Sequence, residues 1–288
     1  MSFIPATLEP LRRLARLGPL PRIKALHLPP QPAADAARAE ARGEFCALEL
    51  DDGTLGLAYV LLGDTCAALH AGPWRRSLPG QDALQLADSL PECHDAATRV
   101  LAWAALNALT RHLFDRAGYR APTSRDSFGQ LVIRPGERIG MVGLFGPLIE
   151  RLRAQGADLT VIELRAELVR SEPGLRVTLD PAELRGCTQI LCTSTVLLND
   201  SLAPLLPHCA DARHLAMIGP GAGCLPDALF ERGITLLGGT WIEDGPACIS
   251  AIERGESLNR ATRKVVMTRE DYPGMVQLLA RIAPMAGS

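Results

Sequence analysis

The chain has 288 residues, 47% apolar and 22% charged, with a net charge of -2, which is the profile of a globular protein long enough for two domains. With no basic excess and only three Trp, three Tyr and six Phe, nucleic acid is not an expected partner. No window reaches about 18 uninterrupted apolar residues, so no membrane span is expected.

The N-terminal stretch "MSFIPATLEPLRRLARLGPLPRIKALHLPP" is basic but interrupted by prolines. It lacks the unbroken apolar segment of an export signal. Ordered structure is expected from about residue 40. Eight cysteines, at 46, 66, 93, 187, 192, 209, 224 and 248, form no CxxC pair and no short-spaced framework. The expected compartment is therefore a reducing cytoplasm, where most thiols behave as small buried hydrophobes.

From Phe45, "FCALELDDGTLGLAYVLL" places Asp52-Gly53 between two apolar runs, which predicts a β-hairpin. After a Pro/Gly-rich stretch, "AATRVLAWAALNALTRHLF" repeats Leu101, Ala104, Ala105, Ala108 and Leu109 at helical spacing, and Asp95 is placed to cap it. Residues 1–135 thus read as a small α+β unit. "ECHD", residues 92 to 95, is a solvated helix start before it is a metal site, because adjacent side chains point different ways.

A polar segment separates this unit from residues 136–288. There "RIGMVGLFG", "DLTVIEL", "QILCTST", "HLAMIGPG" and "GITLLGGT" predict five short buried strands. Helical candidates "PLIERLRAQG", "LNDSLAPLL", "PDALFERG" and "PACISAIERG" lie between or after them, which predicts an α/β fold with a parallel, doubly wound, Rossmann-like sheet. "PHC", ending at Cys209, reads as a helix end, where a histidine suits the dipole.

Ligands of such sheets bind outside the carboxyl ends of the strands. The candidate binding residues are therefore Gly143, Phe145 and Gly146 after the first strand, Glu163 after the second, and Thr193, Ser194, Thr195 and Asn199 after the third. Gly219, Pro220 and Gly221 follow the fourth strand, and Thr240 lies at the end of the fifth. Glu163 lies 20 residues beyond Gly143, the distance at which a dinucleotide fold places an acid on ribose hydroxyls. Yet the glycines run Gly140-x-x-Gly143-x-x-Gly146, and Pro147 removes an amide, so plain strand-helix packing accounts for them equally well. Asn199 and Asp200 admit a second role as helix caps. Cys224 falls near a helix start, where a dipole favours thiolate, and with Cys192 it forms the candidate soft-metal pair for zinc or copper. Against that stand a cysteine plugging its turn and a Cys192 in the core.

The set "MVGLFGPLIERLRAQGADLTVIEL", "ILCTSTVLLNDSLAPLL" and "MIGPGAGCLPDALFERGITLLGGTWIED" resembles the DUF364 family, a heavy-metal-chelation family. "GTLGLAYVLL" and "LAWAALNAL" look like its partner domain DUF4213. The resemblance implies an enolase-N-terminal-like α+β domain, a Rossmann-like domain, and a crevice between them that holds a heavy metal or a metal-binding metabolite. It also allows Asn107 to face that crevice, against a helix-surface or interhelical hydrogen bond as its role. Gly221, Ala222, Gly223 and Cys224 stand where relatives carry hydroxyl residues and a proline. An enzyme holding a nucleoside-bearing or anionic cofactor in the same crevice is the competing expectation. A homodimer is the ordinary prior for a protein of this kind.

Overall fold

The structure, a computed structural model, describes residues 3–31, 44–124 and 130–283. Helix α1 (Ile4–Arg16) buries Ile4, Leu8, Leu11 and Leu14, one stripe at helical spacing. It carries proline in its first turn, where a missing N–H costs nothing, and Pro10 inside. Order therefore begins well before residue 40, and the apolar stripe outweighs the prolines.

Strand β1 (Ile23–His27) pairs antiparallel with β2 (Phe45–Leu50), and β2 with β3 (Leu55–Tyr59), in a three-stranded sheet. The expected hairpin lies between β2 and β3. Helices α2 (Thr65–Ala71), α3 (Trp74–Ser77) and α4 (Ala83–Asp88) lead to α5 (Ala96–Arg116). Asp95 caps α5 by accepting from the Thr98 amide. Val100 to Thr110 are all buried, so α5 is a core helix rather than an amphipathic surface one. It lies against β3 at Gly56, where a Cβ would sit 2.0 Å from the Ala104 carbonyl oxygen and 2.3 Å from the Ala108 nitrogen.

The second sheet contains β4 (Arg138–Val142), β5 (Asp158–Ile162), β6 (Arg170–Glu172), β7 (Leu175–Thr178), β8 (Gln189–Thr193), β9 (His214–Ile218), β10 (Leu236–Ile242) and β11 (Thr262–Thr268). Its helices are α6 (Gly146–Ala154), α7 (Leu202–Leu205), α8 (Asp227–Phe230), α9 (Gly245–Arg254) and α10 (Met275–Ile282). The strand order is β11-β10-β9-β8-β4-β5-β7-β6. The six strands from β10 to β7 are parallel, in the doubly wound order third-second-first-fourth-fifth-sixth, so the topological switch lies between β4 and β8. Strands β11 and β6 add antiparallel edges. Neither edge strand nor β7 is among the expected five. All three residues of β6 are exposed and β7 has four residues, too few for an alternation to register.

Residue parity divides the sheet's faces. Ile139, Met141, Leu159, Val161, Leu191 and Ala216 pack with Leu148, Ile149 and Leu152 of α6. Ile190, Cys192, Leu215, Met217, Leu237 and Val265 join one cluster with α1 and α5. Helix α9 leaves its own sheet and packs Cys248 and Ile252 onto Ala47, Leu55 and Leu57. The small sheet is thus held between α5 and α9, which seats it over the carboxyl end of the large one. No helix among the described residues is long and apolar enough to cross a membrane.

Candidate functional site

The loop after β4 turns at Gly143, whose φ of +88° is a left-handed value that side-chain-bearing residues avoid. A Cβ there would also press 2.9 Å from the Thr193 methyl at the end of β8. Across the same switch point, Glu163 accepts the Leu144 amide at 3.2 Å and the Leu164 amide at 2.9 Å. Its carboxylate ties the two loops together, and Arg165 stands 4.0 Å away. Phe145 is the cap residue of α6 without a side-chain bond, and Gly146 is its exposed first residue.

Thr193 caps the turn after β8. Its Oγ1 accepts the Thr195 amide and lies 2.9 Å from Thr195 Oγ1. Ser194 is buried against Gly219, where a Cβ would sit 2.2 Å from Ser194 Oγ. Asn199 closes a local turn, its Oδ1 accepting from Ser201 N and Oγ, but Ser201 is the residue before α7 and neither Asn199 nor Asp200 caps that helix. Asp200 faces Arg99 of α5 at 3.4 Å.

The loop after β9 meets the small sheet through Asn107. Its Nδ2 donates to the Leu57 carbonyl at 2.8 Å and the Gly221 carbonyl at 3.1 Å, joining α5, β3 and the 219–224 loop. Asn107 thus reaches the seam and bonds across it instead of staying on the helix surface. Pro220 and Thr240 line both of two neighbouring cavities. One is a crevice of about 670 Å³, open to solvent and walled by Glu44, Phe45, Arg254, Glu256, Asn259 and Thr262. The other runs inward between Leu57, Asn107, Arg111 and Trp241. Burial pushes the Glu44 carboxyl above its ordinary value, and no hydrogen bond or ion pair joins that carboxylate to another described residue. Tyr59, at the end of β3, is raised by burial and by the charges of Glu44 and Glu163, so this part of the first sheet faces the loop after β5.

Both candidate metal ligands lie in the core, as the alternative readings of their positions hold. Cys224 and Cys192 are both fully buried. Burial pushes the Cys224 thiol up to about 12 and the Cys192 thiol higher still. A helix dipole does not reverse this for Cys224, because α8 is a single turn and desolvation dominates. Burial therefore disfavours the thiolate form of both. Among the described residues no three His, Cys, Asp or Glu side chains gather in a set that could hold a metal ion. Among the described residues, the side-chain donors do not assemble a metal centre by themselves.

Glu44, Arg111, Tyr59, Trp241 and Arg254 join the site without having been among the candidates. Arg111 follows Asn107 by four residues and so shares its face of α5, a spacing visible in the sequence. Glu44 and Arg254 carry no such signal.

Residues 126–270 match the model of the family DUF364, described as "Putative heavy-metal chelation". The structure is similar to that of a DUF364-family protein of unknown function from Pyrococcus horikoshii. Identity is 17%, 93% of this chain and 100% of that chain are covered, and the TM-score is 0.64. A second DUF364-family protein of unknown function, from Desulfitobacterium hafniense, is 18% identical over 92% of this chain and 98% of its own, with a TM-score of 0.62. At such identities the likeness concerns the fold. No curated protein matches the chain.

Proposed function

This chain belongs to the DUF364 family, and from that premise we propose that the crevice between its two sheets binds a small metal-chelating metabolite, alone or carrying its heavy metal. In this reading the metal is cargo held mainly by the metabolite, and the protein recognises the complex through oxygen and nitrogen groups. Residues 1–135 serve as a DUF4213-type partner domain that supplies one wall.

The observation that carries the reading is the Glu44 carboxylate, half-buried at the crevice and without a partner among the described residues. A carboxylate drawn out of water without a partner is unfavourable until a cation or an ammonium group reaches it. On the remaining wall Arg254 and Glu256 neutralise each other in an ion pair at 2.9 Å, which leaves Glu44 as the wall's uncompensated charge.

Calorimetry with the zinc–histidine complex, zinc alone and histidine alone tests this. The complex should bind saturably, and Glu44→Gln should weaken it about tenfold or more, as expected for a lost charged contact. Equal binding by Glu44→Gln, or stoichiometric uptake of bare zinc that Cys224→Ser abolishes, overturns it.

A second reading rests on a separate observation: Glu163 stands beside the β4 loop at the topological switch, where doubly wound folds hold nucleoside cofactors. Thermal shifts by S-adenosylmethionine or an adenine nucleotide that vanish in Glu163→Gln would support it. No shift with any of these probes removes it.

A further inference from the structure

One histidine has both ring nitrogens engaged, and it joins the small sheet to a helix of the large one. His27 of β1 places Nδ1 2.9 Å from Glu253 Oε1 of α9 and Nε2 3.0 Å from Glu49 Oε2 of β2. Lys24 Nζ holds the other oxygen of Glu49 at 2.8 Å. Burial alone would raise the Glu49 carboxyl, but the bonds from Lys24 and His27 bring it below its ordinary value, so both its oxygens are acceptors at neutral pH. A carboxylate offers no proton, and a neutral imidazole has a single N–H. Two carboxylates are therefore both bonded to one ring only while that ring carries both protons.

The two carboxylates are not equally held. Glu49 is 11% exposed and tied by Lys24 as well, whereas Glu253 is 52% exposed and has His27 as its one partner among the described residues. A ring that gives up one proton keeps its N–H on the buried Glu49 and turns a lone pair to Glu253, so the bond to α9 is the one lost. Cys248 and Ile252 keep the body of α9 docked on the small sheet, which leaves its last turn to be freed. The Gly255 and Glu256 amides donate back to the Ile252 and Ala251 carbonyls, so the next residues move with that turn. Arg254, Gly255 and Glu256 line the larger crevice. The other charges on the elements packed against β1 are Arg254 of α9, which is paired with Glu256, and Arg75 and Arg76 of α3, which join no ion pair among the described residues.

We infer that His27 is a proton-operated latch between the small sheet and α9: doubly protonated, it fastens Glu253 and stiffens the 254–256 wall of the crevice, and on losing one proton it releases that wall. The bonded form is the protonated one, so the latch is closed at low pH and opens as pH rises. In its consequence for ligand uptake the inference rests on the crevice being a ligand site.

Hydrogen exchange of the full chain, read by mass spectrometry with no ligand added, tests the latch. Peptides covering residues 249–258 are compared with peptides covering α6, which packs on the large sheet instead. The comparison is made at about pH 5.5 and about pH 8.5, on either side of an imidazole's ordinary range. After correction for the intrinsic exchange rate at each pH, protection of 249–258 relative to α6 should fall about threefold or more between the two, as expected for the loss of a partly exposed charged contact. Glu253→Gln should remove that difference, because an amide donates to a bare ring nitrogen as well as it accepts from a protonated one. Glu253 is exposed, so this substitution leaves the fold intact. A ratio that does not change with pH in the unaltered protein overturns the inference. An equal fall in Glu253→Gln overturns it too, by assigning the effect to another group. With no ligand in the experiment, failure of the latch is distinguishable from failure of the crevice reading.

Discussion

The inner and outer ends of the crevice are built on opposite terms. At the inner end α5 and β3 approach until backbone meets backbone at Gly56, and Asn107 spans three elements from a buried position. At the outer end Glu44, Arg254 and Glu256 stand around open space, and Glu44 bonds to nothing described. The difference teaches where a substitution will be felt. Change at the inner end should be felt first as lost stability, and change at the outer end as lost binding.

The largest effect should follow Gly56→Ala. A Cβ 2.0 Å from a helix carbonyl cannot be absorbed by rotating a side chain, so α5 must move off β3. Denaturant unfolding should show a loss of about 3 kcal/mol or more, or no folded protein. A loss below about 1 kcal/mol would mean that the inner seam is looser than described.

Asn107→Ala should cost about 2 to 3 kcal/mol by the same measurement, since it leaves the Leu57 and Gly221 carbonyls without their donor. A value near zero would deny Asn107 its bridging role.

A charge near the inner seam makes a smaller, pH-dependent contribution. His112 of α5 bonds Asp52 in the β2–β3 turn at 2.6 Å. Burial alone would raise the Asp52 carboxyl, but bonds from His112 and Thr54 bring it from 3.8 down to about 2. A depressed carboxyl stabilises the fold above its unfolded value, so this contribution is complete above about pH 4 and is lost as pH falls from there towards 2. Screening by solvent limits it to about 1 kcal/mol. Asp52→Asn should remove that part of the acid dependence, and an unchanged pH profile would contradict the pairing.

The smallest stability effect should come from the outer end. Burial raises the Glu44 carboxyl, so its charge does not stabilise the fold at neutral pH. Glu44→Gln should leave unfolding within about 0.5 kcal/mol of the parent or slightly raise stability. A large loss would move Glu44 from the binding wall to the structural frame and erase the contrast between the two ends.

Much of this frame is legible in the sequence. The hairpin at Asp52-Gly53, helix α5 with its Asp95 cap, and strands β4, β5, β8, β9 and β10 are apolar runs bounded by turn residues, and each forms. Helix α1 is hidden because its prolines are more conspicuous than the stripe of Ile4, Leu8, Leu11 and Leu14. Strand β11 is hidden because its partner lies across a helix in the chain, and pairing leaves no local mark. At the site, Gly143 and Glu163 are legible as a pair because βαβ spacing brings them to one switch point. Cys224 is legible in position but not in depth: nearness to a helix start says nothing of burial, and burial decides its protonation. Asn107 and Trp241 come to one cavity, and Glu44 to the neighbouring crevice, only because α9 and α5 hold the small sheet over the large one, which no segment read alone reveals.

The central claim is that any metal in this crevice is held without thiolates. The zinc K-edge absorption spectrum of the protein loaded with zinc–histidine tests it most directly. The account predicts a first shell of nitrogen and oxygen at about 2.0 to 2.2 Å, unchanged by Cys192→Ser and Cys224→Ser. A sulfur shell at about 2.3 Å that either substitution removes would contradict it.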